Sequence, residues 1–253
     1  MPERDRRHWP QTLWVVRHGQ SAGNVARDAA EAAGLAMIDI AERDIDVPLS
    51  DLGRMQAQAL GLWFGALPQD GQPDVLLCSP YVRARQTAKL LLDASGLDVR
   101  LRIDERLREK EFGIIDRLTQ HGIRAKYPEL SQQRGHVGKF YFRPPGGESW
   151  CDVILRLRSV IEMITREHAG KRVLVVGHQV IVNCMRYLVE CLDEQQILAI
   201  DSRGDVPNCV VTSYRHDPVR DELVTDLVNF VAPLRRAGAP VTREPDTPVA
   251  AKP

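Results

Sequence analysis

Apolar residues in this chain fall into two kinds of pattern. Residues 12–17, 74–78 and 172–177 are short runs in which nearly every position is apolar. Such runs suit strands covered on both faces, since a half-exposed strand would alternate. Residues 23–33, 51–66, 81–94 and 149–168 carry helical spacing, and a further helix is expected from the 172–177 strand to about residue 192. Ser50 follows the turn at Asp46-Val-Pro48-Leu49 and is placed to cap the 51–66 helix. Pro80 opens the 81–94 helix, where its missing N–H costs nothing. A short strand is expected at about 99–103, and a terminal hairpin from 209–216 and 222–230.

Strands that alternate with helices imply an α/β fold: three layers, α/β/α, around a mostly parallel central sheet. The expected organisation is a polar lead at 1–11, one domain over 12–232 and a disordered tail over 233–253, rich in Pro, Ala and Arg. Residues 114–148, which include Gly135, Gly138, Gly146, Gly147 and paired prolines, read as a short helical piece plus a long loop of the kind that usually carries function. In open α/β sheets ligands sit beyond the carboxyl ends of the strands. Arg17-His18, Ser79 with Arg83, and Gly177-His178 all follow expected strand ends.

Composition narrows the partners. The 253 residues carry 34 Lys plus Arg against 34 Asp plus Glu, so no global field favours nucleic acid or an anionic membrane. The five cysteines form no CxxC pair and read as reduced thiols. The charged start lacks the apolar core of a signal peptide, and no stretch approaches the ~20 apolar residues of a membrane span. A cytoplasmic location is the expectation. The exposed edge of the terminal hairpin permits a homodimer.

The candidate chemistry lies at the strand ends. A neutral imidazole at His18 is a nucleophile near neutral pH. Arg17, Arg83 and a protonated His178 would neutralise phosphoryl oxygens, and Asn24 would add an amide donor. Residues 83 and 85 of a helix point in different directions, so only one of Arg83 and Arg85 faces such a site. Departure of an alkoxide needs an acid. Glu105, Glu109 and Glu111 are all candidates on composition alone.

Arg17-His18-Gly19-Gln20-Ser21-x-x-Asn24 resembles the signature of the histidine phosphatase superfamily, also called phosphoglycerate-mutase-like. The rest of the pattern follows in order over about residues 12–216. It comprises Asp46-x-Pro48-Leu49-Ser50-x-x-Gly53, Ser79-Pro80-x-x-Arg83-Ala84-x-Gln86-Thr87-Ala88, Leu107-x-Glu109-x-x-x-Gly113, Pro145-Gly146-Gly147-Glu148-Ser149, Gly177-His178 and Pro207-Asn208. The resemblance implies a phosphoglycerate-mutase-like fold, with His18 as the residue phosphorylated. It implies Arg17, Arg83 and His178 as phosphoryl ligands, and Glu109 as the acid and then the base. It implies no metal and no cofactor, because the basic cluster supplies the charge.

Within that family the sequence favours a phosphatase of small phosphate monoesters over a bisphosphoglycerate-dependent mutase. The interval between the acid motif and His178 is short, Arg124 and Lys126 are its nearest basic pair, and Gln179-Val-Ile-Val follows His178 where the mutases carry Gly-Asn-Ser. An inactive phospho-binding relative would be expected to lose one of Arg17, His18, Glu109 or His178, and all are present. Ser21, Asn24 and Gln179 are candidate substrate contacts beside the two histidine turns. Lys139, Tyr141 and Arg143, in an aromatic and basic segment, are candidates for the pocket rim, so substrate choice is expected to reside in residues 114–148.

Overall fold

The computed structural model describes residues 8–243. Six strands form one sheet in the order β3-β2-β4-β1-β5-β6: β1 (Thr12–Arg17), β2 (Val75–Cys78), β3 (Leu101–Ile103), β4 (Arg172–Gly177), β5 (Val211–Asp217) and β6 (Glu222–Phe230). The first four in chain order run parallel, while β5 is antiparallel to β1 and to β6. This is the mostly parallel sheet expected from the short apolar runs.

Alternation along those runs sorts the core into two layers. Leu13, Val15, Val75, Leu77, Val173 and Val175 face α6 (Trp150–Glu167) and α7 (Gln179–Val189). Trp14, Val16, Leu76, Cys78, Leu174 and Val176 face α2 (Asp51–Gly65) and α3 (Val82–Ser95). Each fully buried Val or Leu contributes about 1.5–3 kcal/mol, so a sheet filled on both faces anchors the strand ends firmly. Ser21, Ser50 and Ser149 cap α1 (Ala22–Ala32), α2 and α6 with their side chains.

Three regions differ from the sequence-based expectation. The 114–148 segment holds two helices, α4 (Gln120–Lys126) and α5 (Pro128–Val137), over a small apolar cluster of Phe112, Ile115, Leu118, Leu130 and Phe142. A further helix, α8 (Glu194–Ser202), follows α7. The segment expected as a disordered tail is ordered as far as 243. It forms α9 (Ala232–Arg236), whose Leu234 is fully buried against α2 and α3. Residues 244–253, and residues 1–7 of the lead, lie outside the described residues. Gln11 of the lead joins the sheet margin, donating to the Lys171 carbonyl and accepting from the His216 N–H. Among the described residues no helix is long and apolar enough to cross a membrane, and all five cysteines carry free thiols.

Candidate active site

Sheet register brings the expected residues together. Arg17 pairs with Gly177, and Val176 pairs with Cys78, so β1, β4 and β2 end side by side. The chain leaves each strand through one more backbone bond: His18 N–H to the Gly177 carbonyl at 2.9 Å and Ser79 N–H to the Val176 carbonyl at 3.0 Å. His18, His178 and Ser79 therefore emerge together. Arg17, His18, Ser79 and His178 are all fully buried, and Glu109 nearly so.

The tautomer of His18 follows from its partners. Its Nδ1 lies 2.6 Å from the carbonyl oxygen of Gly19, which can only accept, so Nδ1 carries the proton. Nε2 then holds a lone pair, and the Arg83 Nε–H donates to it at 3.2 Å. The ring of His178 stands edge-on to that of His18, with centroids 5.1 Å apart. The remaining Arg83 nitrogens meet Asp44, one at 2.5 Å from its carbonyl and one at 3.3 Å from its carboxylate.

The turn that presents His18 is held by close backbone packing. A Cβ on Gly19 would come within 2.4 Å of the Gly53 carbonyl oxygen, and one on Gly53 within 1.9 Å of the Gln20 carbonyl oxygen. That contact explains why the Arg-His-Gly and Leu-Ser-x-x-Gly turns each end in glycine. Helix α3 ties both turns down: Thr87 Oγ1 accepts from the Gly19 N–H at 3.0 Å, and Gln86 Oε1 from the Leu49 N–H at 2.8 Å. Asn208 Nδ2 donates to the His18 carbonyl at 3.1 Å.

His178 Nε2 lies 2.8 Å from Ser79 Oγ, which also accepts from the Tyr81 N–H at 3.3 Å. Tyr81 packs edge-on against His178 and beneath the Arg83 guanidinium, 4.8 Å from ring centroid to Cζ. Burial first, and then the nearby carboxylates, push the Tyr81 phenol far above its ordinary range, so it stays a protonated donor to Glu111 at 3.3 Å. Arg17 spans inward, donating to the Val206 carbonyl at 2.5 Å.

Glu109 comes from a separate segment that needs its own support. Its Oε1 accepts from the Lys110 N–H at 2.8 Å. Arg156 of α6 donates to the Glu109 carbonyl at 3.2 Å and pairs with Glu148 at 3.0 Å. Glu148 also takes Arg108 at 2.7 Å and the Glu111 N–H at 3.0 Å. Gly113 has φ +54°, and a Cβ there would lie 2.1 Å from the Pro145 carbonyl oxygen. The acid motif and the Pro-Gly-Gly-Glu-Ser loop are thus two sides of one clamp.

Of the residues singled out from sequence, His18, Arg83 and His178 meet at this buried centre, Arg17 stands at the same strand end, and Glu109 lies close enough to Tyr81 to act on its charge. Asn24 lines a cleft beside Arg83 and Asp44. Ser21 is used mainly as a helix cap, exchanging bonds with Asn24 in a capping box. Gln179 lines a second cleft and donates to Asp205 at 2.5 Å. Tyr141 and Arg143, expected at a pocket rim, line neither of these two clefts. Tyr141 is 53% exposed, and Arg143 forks onto Asp152 of α6, its charge already satisfied there. Lys139 does line the second cleft. Sequence reasoning passed over Asp44, Lys110 and Arg156, and it gave Glu148 no role beyond its motif. Asp44 and Lys110 sit in runs of charges that look solvated, and the partners of Arg156 and Glu148 lie in distant segments that only the fold brings together. No group of three or more His, Cys, Asp or Glu suited to a metal ion occurs among the described residues.

A family model for the histidine phosphatase superfamily (branch 1) matches residues 13–226. The chain is 34% identical over 205 residues to a 2,3-bisphosphoglycerate-dependent phosphoglycerate mutase of Sinorhizobium fredii, covering 78% of this chain and 87% of that one. It is 32% identical over 177 residues to a 6-phosphofructo-2-kinase/fructose-2,6-bisphosphatase of Caenorhabditis elegans, matching 70% of this chain but spanning only 33% of that protein. Among solved structures, a mycobacterial glucosyl-3-phosphoglycerate phosphatase complexed with VO3 superposes with a TM-score of 0.68 at 26% identity, over 87% of this chain and 99% of that one.

Proposed function

The chain belongs to the histidine phosphatase superfamily, and we propose that it is a phosphatase that hydrolyses small phosphate monoesters through a phosphohistidine at His18. One observation carries this reading. His18 Nε2 is the unprotonated nitrogen of the ring, held by the Arg83 Nε–H at 3.2 Å, with the ring of His178 edge-on to it.

The chemistry runs in two balanced steps. His18 Nε2 attacks phosphorus, the P–O bond to the alcohol breaks, and the alkoxide takes the proton of Glu109 and leaves. Arg17, Arg83 and His178 neutralise the phosphoryl oxygens as the charge shifts, a role worth most where water is excluded. Glu109, now a carboxylate, takes a proton from water as that water attacks phosphorus. The P–N bond breaks, inorganic phosphate forms, and His18 and Glu109 return to their starting states. Permanent guanidinium charge and oriented donors serve the transition state throughout. Burial of both histidines supports a small ester that enters through the clefts over a large phosphoprotein surface.

Hydrolysis is favoured over transfer by the surroundings of the centre. Arg124 and Lys126, the nearest basic pair after the acid motif, are exposed on α4 and line neither cleft. The likeness to the mycobacterial phosphatase points the same way. Phosphoglycerate mutation is the second reading, favoured by relatives such as that of Sinorhizobium fredii. The two are separated by product analysis. A phosphatase releases inorganic phosphate from simple esters without bisphosphoglycerate. A mutase interconverts phosphoglycerate isomers only with it, and that outcome would overturn the hydrolytic reading.

A further inference from the structure

Tyr81 breaks a local rule at the start of α3. It stands at the N-cap, a place that ordinarily goes to Ser, Thr, Asp or Asn, and its side chain makes no capping bond. The backbone starts the helix instead: the Tyr81 carbonyl accepts from the N–H groups of Ala84 and Arg85 at 3.1 and 3.0 Å. The side chain is nearly fully buried, yet it lines neither cleft. A residue that departs from the local pattern and does not meet the cleft has its use among its neighbours.

Those neighbours belong to both halves of the centre. The Arg83 guanidinium lies over the Tyr81 ring, 4.8 Å from Cζ to the centroid, and is itself buried. A ring face holds a desolvated cation more strongly than an exposed one. The same ring stands edge-on to His178, with centroids 5.0 Å apart, and His178 in turn is 5.1 Å from His18. The Tyr81 N–H reaches Ser79 Oγ, the partner of His178 Nε2. From the far end of the ring the hydroxyl donates to Glu111 Oε1 at 3.3 Å. Glu111 lies two residues beyond Glu109, and its N–H is fastened to Glu148 at 3.0 Å. One side chain thus touches two groups expected to hold phosphoryl oxygens and also the segment that carries the expected acid.

Resting on the phosphatase reading above, we propose that Tyr81 is a positioning residue that joins the two halves of the centre: its ring sets Arg83 and His178 against His18, and its hydroxyl, through Glu111, sets Glu109. The two duties sit on different atoms. Asp44 grips the outer nitrogens of Arg83, so loss of the ring lets that carboxylate draw the guanidinium away from His18. Loss of the hydroxyl alone keeps the ring contacts and releases the Glu111 side chain, which is half-exposed. Glu109 then meets the leaving oxygen in a poorer geometry, and a small misplacement of a reacting group costs rate more than affinity.

Tyr81→Phe, Tyr81→Leu and Glu111→Ala separate these duties. Tyr81→Phe should lower kcat/KM for an alkyl phosphate about tenfold, as the loss of one hydrogen bond to a charged group allows. For p-nitrophenyl phosphate, whose leaving group needs no acid, kcat/KM should stay within about twofold of wild type, and so should the affinity for inorganic phosphate by calorimetry. Tyr81→Leu should in addition weaken phosphate about fivefold or more, a loss that the ring of Tyr81→Phe rescues. Glu111→Ala should match Tyr81→Phe, and the double variant should be no slower than either, since both cut the same link. Tyr81→Phe differs by one hydroxyl and Glu111 is half-exposed, so that pair carries the test if Tyr81→Leu does not fold. Losses that multiply in the double variant would overturn the route through Glu111. Equal phosphate affinity in wild type and Tyr81→Leu, or an alkyl-phosphate rate that both Tyr81 variants leave unchanged, would overturn the positioning role. Phosphate affinities in the expected order, with no phosphate released by wild type from any ester, would sink the phosphatase reading and keep the role of the ring.

Discussion

Arg83 Nε lies 3.2 Å from His18 Nε2, while the rest of its guanidinium rests on Asp44. The group that the proposed mechanism assigns to a phosphoryl oxygen is thus already gripped by a carboxylate. A substrate must compete with Asp44 for it. Asp44→Asn keeps the backbone carbonyl contact and removes the negative charge, so KM and the inhibition constant of inorganic phosphate should both fall severalfold, with kcat within about threefold. Steady-state kinetics with phosphate inhibition checks this. A rise in both constants would show that the carboxylate positions Arg83 productively.

In the proposed mechanism Glu109 has two duties, and they can be separated. Glu109→Gln should lower kcat/KM for an alkyl phosphate by about 10²- to 10⁴-fold, since the alkoxide then leaves unprotonated. With p-nitrophenyl phosphate the leaving group needs no acid. A stopped-flow trace should therefore show a burst of nitrophenol equal to the enzyme, then slow turnover limited by hydrolysis of the phosphoenzyme. An unchanged steady rate would remove Glu109 from both steps.

Much of this centre was legible because short apolar strands must end somewhere. His18, Ser79 and His178 follow those ends directly, and parallel register set them side by side. Glu109 was legible only through its motif, since nothing local separates it from Glu105 and Glu111. Helices α5 and α8 were missed because each buries one apolar side chain, Leu130 and Ile197, and so lacks an apolar stripe. Asp44 was hidden for another reason: its partner lies 39 residues away and no local pattern records that. The ion pair of Arg143 with Asp152, which also takes part in capping α6, was not legible in the local sequence pattern.

The ordered end of the chain reaches the centre through side chains. Thr242 Oγ1 donates to Asn208 Oδ1 at 2.9 Å and accepts from Gln56 Nε2 at 2.8 Å. Asn208 holds the His18 carbonyl, and Gln56 holds the Gln20 N–H at 2.9 Å. Thr242→Val keeps the shape and deletes both bonds. Each such bond is worth about 1 kcal/mol, so kcat should fall by up to about tenfold with KM nearly constant. A change in Tm with kcat intact would make the brace structural only.

Glu148 links activity to acid stability. Burial alone would raise its carboxyl, but the bonds and charge of Arg156, the Glu111 N–H and Arg108 outweigh that and hold it below the ordinary carboxylate range. Its folded value is therefore below its unfolded one, near ~4.3. The stabilisation is complete above the unfolded value and is lost as pH falls through the folded one. Glu148→Gln should cost about 2 kcal/mol at neutral pH, measured by urea unfolding, and the gap to wild type should close in acid. A gap that is constant with pH would contradict the assignment.

The central claim is a covalent bond between phosphorus and His18. Quenching the enzyme during turnover of a phosphate ester labelled on phosphorus should leave one acid-labile label, mapped to His18 by peptide mass spectrometry. His18→Ala should lose both label and turnover. Turnover that persists in His18→Ala, or a label on any other residue, would contradict the account.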